Sequence, residues 1–123
     1  MVSGEVKKGE VYLYWIGKKE AKGTEIKKIR PGVVISTDNL NKWNYRFIVA
    51  PITKRTTKFL EFEVPVMVNS KEGLAILDQI KTVDRSRLIK KLGKLTETEM
   101  SEIRKGRGDD SGYYNRNRYF MLI

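Results

Sequence analysis

Apolar residues in this chain come in dense blocks more often than in helical stripes. Residues Glu10 to Ile16, EVYLYWI, are apolar at nearly every position and predict a strand buried on both faces. The basic, glycine-containing stretch that follows, GKKEAKGTEIKKI, fits neither strand nor helix. Gly32 to Ser36, centred on Val33-Val34-Ile35, predicts a second short, buried strand. Pro31 locks its own φ and disfavours helix for its predecessor, so Arg30 should sit extended at the mouth of that strand. A polar turn over Asp38 to Asn44 leads into Phe47 to Ile52, FIVAPI, a third dense strand that ends at Thr53 and the basic pair Lys54-Arg55.

The period then changes. Leu60, Phe62, Val64, Val66 and Val68 alternate with Glu61, Glu63, Pro65, Met67 and Asn69, which predicts a half-exposed strand with Pro65 at an edge or bulge. After a turn through Asn69 to Gly73, Leu74 to Val83 (LAILDQIKTV) returns to strand character. Asp84 is placed to cap a short helix, RSRLIKKL, with Leu88, Ile89 and Leu92 on one face and Gly93 at its end. Thr96 and Glu99 have capping-box spacing for a second helix, ETEMSEIR. From Gly106 the run GRGDDSGYYNRNR has no period and closes on YFMLI. Strands first and short helices late predict a mainly β (α+β) fold, a small barrel-like sheet with short C-terminal helices. The expected division is one domain over 1–105 and a divergent basic, aromatic tail over 106–123, since 123 residues suffice for a single core.

Composition narrows the chemistry. Cysteine and histidine are both absent, which removes disulfides, thiol chemistry, nearly every transition-metal site and the commonest neutral-pH acid/base. No metal or cofactor is expected. No stretch approaches a membrane span and MVSGEVKKGE lacks a signal-peptide core, so a cytoplasmic protein with no membrane partner is expected. The net charge of +10 and pI near 9.8 point to a polyanionic partner, RNA or DNA, against the plainer alternative of a lysine-rich solvated surface. Arg30 alone reads either as a structural ion-pair partner or as a site residue.

Four separated pieces add to this. GEVYLYWI, GTEIKKIRPGVVIS, FIVAPIT and LAILDQIKTVDRSRL stand in an order and spacing that resembles the MazF/PemK-type toxins, over roughly residues 9 to 103. The resemblance implies an SH3-like barrel of about five to seven strands that forms a homodimer. It also implies a metal-independent, sequence-selective endoribonuclease that cuts single-stranded RNA and is silenced by an acidic antitoxin. Matched by position, the family's catalytic arginine falls on Arg30 and its threonine on Thr53. Its Gly-x-Glu falls on Gly23-Thr24-Glu25, and its acid and neighbouring glutamine fall on Asp78 and Gln79. Thr24 stands where some members carry histidine and Ile76 where others carry a second arginine, so the match does not extend to schemes that use either. Lys54 replaces a frequent serine, and the tail after Ile103 departs from the usual closing helix.

RNA can be cut by its own 2′-OH if a base takes the hydroxyl proton, the phosphorane charge is stabilised and the 5′-oxygen is protonated. Arg30 suits the second role, since guanidinium stays charged and forks onto two oxygens. Thr53 can donate a further hydrogen bond or merely cap its strand. Asp78 or Glu25 can serve as base or positioning group, with a solvent-facing residue and a loop ion pair to Lys27 or Lys28 as their plainer readings. The leaving-group acid has no candidate. Lys28, Lys54, Arg55, Gln79, Lys81 and Arg87 are candidate RNA contacts, and Trp43 in its polar turn is the best-placed stacking platform among Trp15, Trp43, Tyr45 and Phe59. Tyr113, Tyr114, Arg116 and Arg118 extend either that surface or a disordered tail. The competing reading is a non-catalytic binding protein on the same barrel, an inactive relative or a gyrase-type inhibitor. Against the latter, the chain ends Met121-Leu122-Ile123 and not Trp-Gly-Ile.

Overall fold

Strands that are apolar on both faces need cover on both sides, and a curled antiparallel sheet provides it here. The computed structural model describes residues 2–17, 28–43, 45–58 and 60–107. Among them the elements run β1 (Glu10–Trp15), β2 (Ile29–Val34), α1 (Asp38–Trp43), β3 (Arg46–Thr53), β4 (Glu63–Val68), β5 (Lys71–Ile76), β6 (Lys81–Asp84), β7 (Leu88–Lys94) and α2 (Glu97–Arg107). The sheet order is β4-β5-β3-β2-β1-β7, with β6 also paired to β3, so the strands form a mainly β half-barrel. Val33 lies opposite Ala50 and Val34 opposite Val49, and adjacent positions face opposite ways. Val33 and Ala50 therefore join a core with Leu77, Met100 and Ile103, under α2. Val34 and Val49 join a second core with Tyr12, Tyr14, Phe47, Val83 and Leu88.

Four expectations are corrected. The segment RSRLIKKL is no helix: Arg85–Arg87 form a single 3₁₀ turn and Leu88–Lys94 are β7, paired along β1. Its apolar residues suit either period, and the open edge of β1 decides, burying Leu88 and leaving Ile89 exposed. Asp84 does cap that turn, accepting from the Ser86 N–H at 3.1 Å. The strand expected over Leu74–Val83 is broken by a 3₁₀ turn, Leu77–Gln79, into β5 and β6. The polar turn after β2 is a short helix, α1, whose buried Asn41 side chain bonds Ser36. Finally, β4 starts at Glu63, and that acid, placed by the alternation on the solvent side, is buried.

Pro65 lies exposed on β4, at the end of the strand order, as its missing N–H requires. The β4–β5 hairpin turns on Asn69 and Ser70, both at positive φ (51° and 64°), the twist a two-residue hairpin needs. The capping box forms: Glu99 N–H donates to Thr96 Oγ1 at 3.1 Å, and Glu99 Oε1 accepts from Thr96 N–H at 2.8 Å. Glu99 Oε2 also takes the Met67 N–H at 2.7 Å, which satisfies a donor on the open edge of β4 and ties α2 to the sheet.

Glu10 anchors β7 to β1. Its buried carboxylate meets Lys91 Nζ at 2.7 Å, the Tyr12 hydroxyl at 2.9 Å and the Lys7 N–H at 2.8 Å. Burial opposes its ionisation, but these donors outweigh burial and hold it below its ordinary value of 4.5. A carboxylate whose folded pKa is depressed stabilises the fold above the unfolded value, and that stabilisation is lost as pH falls through the folded one. Glu10→Gln is therefore expected to be less stable than the parent at pH 7, with a gap that closes as pH drops below 4.5 in urea titrations. A gap that stays constant with pH would remove the carboxylate's charge from the account.

Candidate active site

One edge of β3 carries both β5 and β6, and the misfit between them builds a groove. Two residues separate Val49 from Ile52 on β3, whereas five separate their partners Lys81 and Ala75. The surplus is taken up by the 3₁₀ turn, which sinks Leu77 into the core and leaves Asp78 and Gln79 exposed. The Leu77 N–H donates to the Phe62 carbonyl at 2.9 Å and fixes the turn against the approach to β4.

Arg30 and Thr53 reach the same place by register. β2 and β3 pair through Gly32–Pro51, and carrying that ladder on by two residues sets Arg30 beside Thr53. Arg30, Thr53, Lys54, Arg55, Asp78 and Gln79 all line an open groove of about 740 Å³, with Pro31, Pro51, Leu60, Glu63 and Ile76 in its walls. The Thr53 Oγ1 accepts from the Arg55 N–H at 3.4 Å, which leaves the hydroxyl's own proton for an outward donation. On the other flank of β2, Tyr14 pairs with Arg30. Burial pushes the Tyr14 phenol above its ordinary value, partly offset by the Arg30 charge. At 2% exposure that side chain belongs to the second core and does not line the groove.

Gly73 is required by this construction. A Cβ there would stand 2.5 Å from the Thr53 carbonyl oxygen, so the β5 backbone can lie this close to Thr53 only without a side chain.

Other sequence-predicted residues fall elsewhere. Arg87 braces the start of the β1–β2 connection: its Nη1 donates to the carbonyls of Trp15 and Gly17 at 3.2 and 2.8 Å, and its guanidinium lies 5.2 Å from the Trp15 ring centre. Lys28 packs against Gly17 at the same hairpin base, and its carbonyl accepts from the Ile16 N–H at 2.7 Å. Lys81 is exposed at the start of β6, beyond the groove lining. Trp43 is exposed, as is Tyr45, but both precede β3, whose far end carries Thr53, about 25 Å away along the strand. Glu25, Lys27 and Phe59 lie outside the described residues, as does the tail from 108.

Sequence reasoning missed Glu63, which forks with Arg55 in the groove wall at 3.1 and 2.5 Å. Its only sequence signal is an acid opening an apolar strand a few residues after a basic pair. Among the described residues no group of three or more carboxylates could hold a metal ion, and no helix is long and apolar enough to cross a membrane.

This groove and fold have known counterparts. Residues 7–106 match a family described as the PemK-like, MazF-like toxin of type II toxin-antitoxin systems. The endoribonuclease MazF of Staphylococcus saprophyticus is 35% identical over 103 residues, covering 80% of this chain and 84% of that protein. Among solved structures, MazF from Deinococcus radiodurans superposes with a TM-score of 0.65 at 25% identity, covering 87% of this chain and 96% of that one. A mycobacterial endoribonuclease solved in complex with its cognate antitoxin gives a TM-score of 0.65 at 20% identity, covering 82% and 89%. The chain belongs to the PemK-like, MazF-like toxin family of type II toxin-antitoxin systems.

Proposed function

We propose that this protein is an endoribonuclease toxin that cuts single-stranded RNA at selected sites without a metal ion, by attack of the 2′-OH on the adjacent phosphorus. The products are a 2′,3′-cyclic phosphate and a 5′-hydroxyl end. The observation that carries the reading is the meeting of Arg30, Thr53 and Asp78 in one open groove, each delivered by a separate, rigid piece of backbone. Arg30 clamps the scissile phosphate and takes up the charge that develops on its oxygens. Thr53 donates a second hydrogen bond to the same group. Asp78, or Glu25 from the β1–β2 connection, accepts the 2′-OH proton or holds the hydroxyl in line. Gln79 and Lys54 contact the nucleotides at the groove, while Lys28 and Lys81 follow the backbone beyond it. Trp43, at the end of α1, is not among the residues that line the groove. A homodimer and an acidic antitoxin lying across the cationic groove complete the reading, supported by charge complementarity and by the antitoxin complex of the mycobacterial relative.

Purified protein incubated with a long single-stranded RNA in EDTA is expected to give discrete cuts with 5′-hydroxyl ends. Arg30→Ala, still folded, should lower kcat by about 10²–10³. Intact RNA with folded wild-type protein would leave the non-catalytic barrel as the better reading. Asp78→Asn should slow single-turnover cleavage more than it weakens RNA binding, and equal losses would reduce Asp78 to a binding group. Gly73→Ala should push the Thr53 backbone out of line and lower kcat by about 10²-fold, out of proportion to its thermal shift. Unchanged kcat in a folded Gly73→Ala protein would detach Thr53 from the chemistry.

A further inference from the structure

Glu63 opens β4 in a register that the alternation assigns to solvent, yet it is only 4% exposed. A buried carboxylate is retained where it is paired and hydrogen-bonded, and Arg55 supplies both conditions. The guanidinium forks onto it, Nη1 to Oε1 at 3.1 Å and Nη2 to Oε2 at 2.5 Å. The same Nη1 donates to the Thr57 carbonyl at 2.7 Å, and Glu63 Oε1 also accepts from the Leu60 N–H at 3.3 Å. The Arg55 N–H meanwhile reaches Thr53 Oγ1. One ion pair thus fastens the 54–62 connection near both ends and joins it to the hydroxyl placed at the reaction.

We propose that the Arg55–Glu63 pair is a positioning latch that sets the shape of this connection and, through it, which bases the groove accepts beside the cleaved phosphate. This rests on the ribonuclease reading of the same groove. Neither side chain takes part in bond making. The connection carries Lys54 and the half-exposed Leu60 into the groove wall, so its path decides the contour that a flanking base meets. The fork matters because guanidinium and carboxylate match in a plane, which a lysine ammonium cannot reproduce. A phosphate-contacting Arg55 makes a different forecast: uniform weakening over all sequences and a shallower salt dependence. Removing the Glu63 charge would then tighten RNA binding and leave selectivity alone.

The test compares wild type, Arg55→Lys and Glu63→Gln on an oligoribonucleotide bearing a mapped cut site and on copies with one flanking base changed. The ratio of kcat/KM between preferred and altered substrates should fall about tenfold in both variants. A merely structural loss lowers both substrates together and leaves the ratio. Independently of activity, the Leu60 amide should exchange about tenfold faster in both variants, while core amides such as Val49 keep their protection. Arg55→Lys decides if Glu63→Gln does not fold, since the Arg55 side chain is 35% exposed. An unchanged selectivity ratio, or an unchanged Leu60 exchange rate, in a folded variant overturns the latch. Wild-type protein that leaves RNA intact overturns the ribonuclease reading instead, and the latch is then judged on Leu60 exchange alone.

Discussion

The edge of β3 that must serve β5 and β6 at once is the constraint on which the site depends. A single continuous strand beside β3 would leave no surplus, and the residues after Ile76 would alternate into and out of the sheet. The three-residue surplus at Leu77–Gln79 cannot enter the ladder, so the backbone closes it as one tight turn. Leu77, buried in the core, and the Leu77 N–H, bonded to the Phe62 carbonyl, hold that turn from below and from the side. Asp78 and Gln79 then have only the groove to enter. Their placement follows from a mismatch of register between β5 and β6 along β3.

Much of the fold was legible because burial on both faces writes a plain signal. The dense blocks at Tyr12 and Phe47 matched β1 and β3 nearly to their ends, the block at Val33 marked β2 although that strand runs Ile29–Val34 and not Gly32–Ser36, and the Thr96–Glu99 box formed as spaced. What failed were short segments whose pattern suits two periods. Leu88, Ile89 and Leu92 fit a helix face, and nothing local says that the edge of β1 needs a partner. The break within LAILDQIKTV was illegible for a related reason, since it is caused by the register of β3 and not by a turn former of its own. Glu63 was read as exposed because alternation counts positions without knowing that Arg55 would return to pair with it.

The candidate site was legible in part. Arg30 could be singled out by its place beside Pro31 at a strand end, Thr53 and Asp78 only by their match to the family's motifs, and the pairing of β2 with β3 puts Arg30 and Thr53 in one groove. Residues named only for charge fared differently. Arg87 turned inward to brace the β1–β2 connection, and Arg55 turned onto Glu63, so two of the five basic candidate RNA contacts are engaged by the protein itself. Position along a strand says where a side chain must be, while charge says only what it would attract.

That difference separates the parts of the groove by rigidity. Arg30, Thr53 and Asp78 sit on backbone held by ladder bonds and by burial of their neighbours, the support a reacting group needs to stay aimed. Among its described residues the 54–62 connection has no ladder of its own, and its shape is held by the forked ion pair together with main-chain contacts that include the Arg55 N–H to Thr53 and the Phe62 carbonyl to Leu77. A sequence change in such a connection disturbs few buried contacts, whereas a change at Gly73 or Leu77 disturbs the sheet itself. The candidate site is therefore bound to the barrel, while the connection at its rim is free to vary.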